Sequence, residues 1–197
     1  PCAEISLGGK KDIDKAVTAA KKAFDTWAFS KKEERLELLE KLYVIYKKRW
    51  AEMAKLITLE MGAPMKFSTE MQAATGASHI KSFKNILKDF KFEKDLGEEK
   101  NNQKLLYEPK GVCALITPWN WPINQVNLKV IPALASACTV VLKPSEIAPL
   151  SSMLLAEMID EAKFPSGVFN LLNGDGVITG NALTSHPDIN MISFTGS

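Results

Sequence analysis

The sequence contains few cysteines, few histidines and no long hydrophobic run. Its 197 residues include only three cysteines, Cys2, Cys113 and Cys138. Because these cysteines are odd in number and lack CxxC spacing, a disulfide-stabilised secreted domain is not expected, and a reducing compartment, the cytoplasm, is predicted. Cys113 and Cys138 lie in apolar runs, so we interpret both as inert residues of the core.

Further absences exclude other classes of protein. No apolar stretch approaches the ~18 residues of a membrane-spanning helix, and no signal-peptide pattern is visible, so no membrane association is expected. The net charge is only +2, which gives no reason to expect nucleic acid as a partner. The two histidines, His79 and His186, lack the spacing of metal ligands, and no metal site is predicted.

Charge divides the sequence into two parts. Residues 1–110 hold 22 Lys/Arg and 17 Asp/Glu, whereas residues 111–197 hold 3 and 6. The first part is therefore rich in solvated faces and the second is mostly buried. We predict a helical lead-in over 1–92, a polar loop or exposed hairpin over 93–110, and a core of alternating strands and helices over 111–197.

The lead-in shows helical periodicity. Apolar residues recur at three- and four-residue spacing from Asp12, the expected N-cap, to Trp27. Ser30 begins a capping-box pattern, which predicts the start of one long helix that extends beyond Ile57. A third helix is predicted over about residues 64–90.

The second part alternates between strand and helix patterns, which indicates an α/β fold with a parallel sheet covered by helices on both faces. Such sheets bind ligands at the carboxyl ends of their strands. The residues that directly follow each strand are therefore the candidate site residues. Strands are predicted over 111–117, 138–144, 168–174 and 189–194, and helices over 123–137, 150–162 and 177–184.

The turn after the first strand, residues 117–122, places Asn120 between two tryptophans and two prolines. An amide held rigidly there could donate hydrogen bonds to a developing oxyanion. The alternative is a stiff turn in which Asn120 only satisfies local backbone groups.

The other turns carry polar or glycine-rich sequence. Glu146 could bind ribose hydroxyls, and Lys143 could reach a ribose or a phosphate; the alternative for both is a surface ion pair at a helix start. Residues 173–176 and Gly180 form a GxGxxxG pattern, one residue longer than the usual dinucleotide fingerprint, so the signal is weak. Residues 195–197 could meet a pyrophosphate.

Together these segments resemble the aldehyde dehydrogenase superfamily over almost the whole chain. The resemblance implies an incomplete coenzyme-binding domain with a variant Rossmann-type sheet, preceded by a helical segment. The matching strings are ITPWNWP (116–122), PALASACTVVLKPSE (132–146), FPSGVFNLLNGDG (164–176), SHPDI (185–189), SFTGS (193–197), DIDKAVTAAKKAFDTW (12–27) and ITLEMGAP (57–64).

The resemblance implies oxidation of a small-molecule aldehyde to a carboxylic acid, with NAD or NADP as the hydride acceptor. In that family a cysteine thiolate attacks the aldehyde, and a glutamate-activated water later hydrolyses the thioester. Both groups lie beyond SFTGS in the family pattern, and none of the three cysteines matches the nucleophile. The catalytic domain is thus absent from this sequence, and the fragment alone is expected to be inactive.

The resemblance also assigns individual residues. Asn120 matches the oxyanion-hole asparagine, and Lys129 matches a lysine with an auxiliary proton-relay role, for which anchoring of the core helix is the alternative. Lys143 and Glu146 match contacts to the adenosine ribose. The positions expected to line the coenzyme site are Thr117, Pro118, Trp119, Asn120, Lys143, Ser145, Glu146, Gly176, Gly196 and Ser197.

Three points stay open at this level. Glu146 favours NAD over NADP, because a carboxylate binds a free 2′-hydroxyl and repels a 2′-phosphate, although Lys143 could offset the repulsion. A truncated nucleotide- or partner-binding module without catalytic activity is one alternative function, and a CoA-acylating aldehyde dehydrogenase is another. A homo-oligomer, dimer or tetramer, is implied by the resemblance alone.

Overall fold

The chain begins with a layer of helices that packs against a small parallel sheet. The computed structural model describes residues 2–97 and 103–196. The first helices are α1 (Lys10–Trp27), α2 (Lys32–Lys48), α3 (Trp50–Met61), α4 (Met65–Phe67) and α5 (Ala73–Asp89), with a π-helical segment, Ser68–Gln72, joining the last two.

Three local predictions in this layer are wrong. The N-cap of α1 is Gly9 rather than Asp12, whose carboxylate instead accepts the Gly9 N–H at 3.0 Å. Ser30 does not cap α2, because its hydroxyl donates to the Trp27 carbonyl at 2.6 Å. The predicted long helix is interrupted at Arg49, which has φ −96° and ψ 17°. The break allows α3 to pack against both the π-helical segment and the later helix that follows Pro149.

The polar segment that follows the helices forms an exposed hairpin. Strand β1 (Glu93–Asp95) pairs with β2 (Lys104–Leu106) in antiparallel register, with Lys94 opposite Leu105. All six residues of the two strands are exposed. Of the two alternatives for residues 93–110, the structure has the hairpin; residues 98–102 lie outside the described residues.

Four parallel strands form the central sheet in the order β5-β4-β3-β6. Leu115 pairs with Leu142 on one side and with Ser193 on the other. The connections run outward from β3 to β5, and the chain then returns to place β6 on the far side of β3. This reversal creates a topological switch point between β3 and β6, where open α/β sheets bind ligands. The strands are β3 (Val112–Ile116), β4 (Thr139–Lys143), β5 (Phe169–Leu171) and β6 (Met191–Phe194).

Helices cover both faces of this sheet, which confirms the predicted fold class. Helices α6 (Pro122–Ala135) and α7 (Leu150–Glu161) pack on one face, and α1 packs on the other together with the π-helical segment Gly176–Gly180 and α8 (Asn181–Thr184). All residues of β3 and β4 are buried. Double-sided burial explains why these strands are continuous apolar runs in the sequence.

The two cysteines of the apolar runs are buried as expected. Cys113 is 0% exposed and Cys138 is 4% exposed, and both belong to the core between the sheet and α6. Cys2 is exposed. Over residues 2–97 and 103–196, no helix has the length and apolarity needed to cross a membrane.

Candidate functional site

A cavity of about 570 Å³ opens at the carboxyl ends of β3, β4 and β6. It lies at the topological switch point of the sheet, where the sequence pattern places the ligand. Nine of the ten residues predicted for the coenzyme site line it, and the tenth, Ser197, lies outside the described residues. The lining residues are Ile116, Thr117, Pro118, Trp119, Asn120, Gln125, Lys143, Ser145, Glu146, Ile147, Gly176, Phe194, Thr195 and Gly196.

The turn between β3 and α6 forms one wall of this cavity. Its start is tied to β4, because the Thr117 N–H donates to the Lys143 carbonyl at 3.2 Å. Asn120 is exposed at the cavity, and its side chain makes no hydrogen bond within the part of the chain that the structure describes. Its amide is thus available to a ligand. Pro122 occupies the first turn of α6, where its missing N–H costs nothing.

Thr117 also lines this cavity, and its hydroxyl is buried beneath it. The residue is 3% exposed, and its hydroxyl Oγ1 has no hydrogen-bond partner among the described residues. A buried hydroxyl without a partner is costly, and such groups in a native cavity commonly await a ligand or a water.

Lys143 and Glu146 form a polar pair at the end of β4, in the lining of the same cavity. The Lys143 side chain is 4% exposed, and its Nζ donates to the Pro144 carbonyl at 3.1 Å and to Glu146 Oε2 at 3.3 Å. The pair exists, but its ammonium group is buried rather than on the surface. An ammonium has three donors, so one remains for a ligand. Glu146 is 39% exposed and can accept hydrogen bonds from a ligand through its other oxygen.

The glycine-rich turn after β5 contributes Gly176 to the lining of the cavity. Asp175 caps the following π-helical segment by accepting the Ile178 and Thr179 N–H groups at 2.6 and 3.3 Å. A Cβ on Gly174 would lie 2.0 Å from Thr179 Oγ1, so only glycine fits there. A Cβ on Gly176 would meet no atom within 4 Å. Gly174 is therefore required for close packing against Thr179, whereas Gly176 leaves open space beside the cavity.

Lys129, the other residue assigned to catalysis, lies outside this cavity. It lines a separate cavity of about 500 Å³, and its Nζ donates to Ser193 Oγ on β6 at 2.7 Å. Burial lowers the pKa of Lys129 below its ordinary value. His79 bonds Asn124 at 2.8 Å, and the described residues contain no group of three potential metal ligands.

Sequence reasoning missed four lining residues. Three of them, Ile116, Ile147 and Phe194, are neighbours of predicted residues at strand ends or in turns. Inclusion of the last residue of each strand would have found Ile116 and Phe194. Gln125 follows in the first turn of α6 and reaches the cavity through helical geometry, for which the sequence carries no specific signal.

The chain is similar to known proteins in both sequence and fold. The family profile of the "Aldehyde dehydrogenase family" matches residues 1–197. The chain belongs to the aldehyde dehydrogenase family. This membership and the parallel sheet confirm the resemblance read from the sequence.

Members of the family with known structures share the fold closely. An aldehyde dehydrogenase from Bartonella henselae is 59% identical with a TM-score of 0.95, over 98% of this chain and 40% of that one. A mutant aldehyde dehydrogenase C from Pseudomonas syringae, complexed with NAD+ and octanal, is 43% identical with a TM-score of 0.93, over 96% of this chain and 38% of that one. Betaine aldehyde dehydrogenase from Staphylococcus aureus, in complex with NAD+, is 31% identical with a TM-score of 0.92, over 98% of this chain and 39% of that one.

A curated relative is also similar in sequence. The 3-succinoylsemialdehyde-pyridine dehydrogenase of a Pseudomonas species is 50% identical over 194 residues, which is 98% of this chain and 40% of that protein. The chain thus spans about 40% of the length of this aldehyde dehydrogenase relative.

Proposed function

We propose that this chain is the coenzyme-binding part of an enzyme that oxidises an aldehyde to a carboxylic acid with NAD as hydride acceptor. The observation that carries the proposal is the cavity at the switch point, which the Asn120 turn and the Lys143–Glu146 pair both line. The names of the relatives support it, because they describe aldehyde dehydrogenases, two of them complexed with NAD+.

The residues present fit a dinucleotide. Both Lys143, which retains one donor, and Glu146, which retains one acceptor, line the cavity. Ribose hydroxyls both donate and accept hydrogen bonds, so they satisfy a lysine and a carboxylate at once. When bound, the coenzyme supplies the hydride acceptor for the reaction. Lys143 and Glu146 would hold its adenosine ribose, and Gly176 and Gly196 would leave room for it.

Asn120 would stabilise negative charge on the oxygen of the aldehyde. An amide N–H donor aimed at a developing oxyanion lowers the barrier without any proton transfer. The nucleophilic cysteine and the basic glutamate of the family pattern would come from a catalytic domain beyond residue 197. On this proposal, residues 1–92, 93–110 and 111–197 are parts of one incomplete coenzyme-binding domain.

Lys129 keeps two roles in this proposal. Its lowered pKa is suited to a group that passes protons, whereas its hydrogen bond to Ser193 supports the anchoring of α6 to β6. The substitution Lys129→Met retains an unbranched apolar side chain and removes the amino group that could carry a proton. A loss of activity that is confined to the basic or acidic limb of the pH–rate profile would support the relay, and a lower thermal midpoint with an unchanged profile would support the anchor.

The coenzyme preference provides the first test. In the complete enzyme we expect a lower dissociation constant for NAD than for NADP, because the Glu146 carboxylate repels a 2′-phosphate. Glu146→Gln should weaken NAD binding by about tenfold, which corresponds to the loss of one charge-assisted hydrogen bond. The same substitution should reduce the ratio between the dissociation constants of NADP and NAD. Glu161→Gln, an exposed carboxylate on α7, is the matched control. Tighter binding of NADP to the unsubstituted enzyme would contradict the proposal.

The activity test separates this proposal from its alternatives. The complete enzyme should reduce NAD in the presence of an aldehyde and water. Binding of NAD without turnover would favour a non-catalytic nucleotide-binding module. Turnover that requires CoA would favour the acylating class. An intact mass of the natural subunit well above 21.7 kDa would establish that a catalytic domain accompanies this chain.

Location and assembly complete the proposal. We infer a cytoplasmic enzyme that forms a homo-oligomer, dimer or tetramer. Three cysteines without a disulfide support a reducing compartment. Light scattering of the complete enzyme during size-exclusion chromatography measures the assembly, and a monomeric mass would contradict it.

A further inference from the structure

The glycine-rich turn, residues 173–179, reaches the coenzyme cavity near its tip. Gly176 lines the cavity, and the next two residues, Val177 and Ile178, are 76% and 62% exposed. The cap that Asp175 provides joins residues of the turn to one another. Because an exposed tip buries little surface of its own, its position depends on how the two ends of the turn are held.

One residue that is distant in the sequence holds both ends of this turn. The Gly8 N–H donates to the Asn173 carbonyl at 2.7 Å, where the turn begins. The Gly8 carbonyl accepts a hydrogen bond from the Thr179 hydroxyl at 2.8 Å, where the turn ends. Gly8 precedes Thr179 by 171 residues and lies in the segment before α1. The segment before α1 therefore bridges the two ends of the turn.

The packing around this bridge is close. Thr179 is 1% exposed. A Cβ on Gly8 would lie 2.6 Å from Leu172 Cδ1 and 3.2 Å from the Asn173 carbonyl oxygen. Glycine at position 8 thus lets the backbone approach the turn closely enough to make both hydrogen bonds. A Cβ on Gly9 would meet no atom within 4 Å, so this requirement is specific to Gly8.

We propose that Thr179, through its hydrogen bond to Gly8, is a positioning residue for the glycine-rich turn of the coenzyme cavity. The inference rests on the proposed function, because it assigns a role in coenzyme binding at the same cavity. A turn that is held before binding loses little conformational freedom when the ligand binds. Without the bond, only a fraction of the molecules would present Gly176 in the binding geometry, and the apparent dissociation constant would rise by the inverse of that fraction.

The test uses the complete enzyme and measures the binding of NAD and of AMP by calorimetry. Thr179→Val removes the hydroxyl with little change in shape, and it should raise the dissociation constant of NAD by about two- to tenfold, the range for one hydrogen bond. AMP, which carries only the adenosine half of the coenzyme, should lose affinity by the same factor. Thr179→Ser retains the hydroxyl and should bind both ligands within about twofold of the original affinity. Neither variant should lower kcat at saturating NAD.

Thr184→Val is the matched control. The Thr184 hydroxyl donates to the Asn181 carbonyl of its own helix, α8, at 3.1 Å, so its removal should leave the affinity for NAD unchanged. Gly8→Ala and Gly9→Ala form a second pair, in which only Gly8→Ala should weaken the binding of NAD and AMP. This pair tests the same bridge without a substitution in the turn, so it decides the outcome if Thr179→Val does not fold.

Unchanged affinities for NAD and AMP in Thr179→Val, or in Gly8→Ala where Thr179→Val does not fold, would overturn the inference. A lower thermal midpoint beside unchanged affinities would mean that the bridge serves stability alone. An equal loss in Thr184→Val, or a failure of Thr179→Ser to restore the affinity, would also overturn it. Absence of aldehyde oxidation by an unsubstituted enzyme that binds NAD would instead refute the proposed function, so the two failures are distinguishable.

Discussion

Asn120 illustrates how one residue combines an exposed polar group with a restrained backbone. It lies in a turn between two prolines, near a buried Thr117 and beside Trp121, whose indole N–H donates to Thr75 Oγ1 at 3.1 Å. An amide that is already oriented needs no reorganisation when charge develops on the substrate, which is the condition for strong electrostatic stabilisation.

On the proposed function, removal of the Asn120 amide should strongly lower turnover. In the complete enzyme, Asn120→Ala should lower kcat by about 10² to 10³-fold, as for other single oxyanion donors. Asn120→Asp should be at least as harmful, since a carboxylate repels an oxyanion. Steady-state kinetics with Asn85→Ala, an exposed asparagine on α5, serve as the control. A higher KM for the aldehyde with an unchanged kcat would contradict the oxyanion role.

Among the elements, α7 shows how a distant side chain starts a helix. Its N-cap, Pro149, offers no side-chain cap. Glu60 of α3 supplies one instead: it accepts the Leu150 N–H at 2.5 Å, and the Ser151 N–H lies 3.2 Å from the same oxygen. Burial raises the pKa of Glu60, and the hydrogen bonds from Ser151 and Leu150 oppose this shift without cancelling it.

The raised pKa of Glu60 makes the start of α7 sensitive to pH. A carboxyl whose pKa is higher in the folded state stabilises the fold most below its ordinary pKa of 4.5, and this contribution is lost as the pH rises through the folded value. The free energy of unfolding of the original protein, relative to that of Glu60→Gln, should therefore decrease as the pH rises from about 4. Hydrogen-exchange protection factors of the Leu150 and Ser151 amides in the two proteins measure this difference at the start of α7. A growing advantage at higher pH would contradict the prediction.

The α5–α6 contact gives a second prediction at this scale. A Cβ on Gly76 would lie 2.3 Å from Tyr46 Oη and 3.0 Å from a side-chain atom of Ile123. Gly76→Ala should therefore destabilise the protein by about 1–3 kcal/mol, the range for overpacking. Gly180→Ala is the control, because its Cβ would meet only one atom, at 3.8 Å. Thermal unfolding of the two variants measures the difference, and equal midpoints would contradict it.

At the scale of the whole molecule, β6 leaves the sheet open. Within the described residues it pairs only with β3, and Met191, Ile192 and Phe194 are 38%, 44% and 59% exposed. An exposed apolar edge strand is a template for pairing with another chain. In a longer family member, additional chain can cover such an edge.

The isolated 197-residue chain should therefore self-associate and remain inactive. Sedimentation should show concentration-dependent association that Ile192→Lys reduces, because a charge on the edge opposes strand pairing. Leu59→Lys, an exposed substitution on α3, is the control. No NAD-dependent oxidation of aldehydes is expected, since the nucleophile and base of the family pattern are lacking. Turnover by the pure chain would contradict the expected inactivity. A monomer at all concentrations would contradict the expected self-association.

Part of this protein could be predicted from its sequence. Double-sided burial makes β3 and β4 continuous apolar runs, so the parallel sheet is visible in local composition. Strand ends bring Thr117, Lys143 and Gly196 together wherever a parallel sheet forms, so most of the cavity lining was also predictable. These features depend on neighbours in the chain or on the general geometry of sheets.

Tertiary structure alone decided the rest. The break at Arg49, the cap that Glu60 places on α7, and the bond from Trp121 to Thr75 each join residues whose partners are set by packing between elements. Local periodicity carries no record of such partners, because a side chain can satisfy its hydrogen bonds with any element that packing brings within reach. The sequence therefore determined the sheet and the position of the site, while packing determined how firmly each site residue is held.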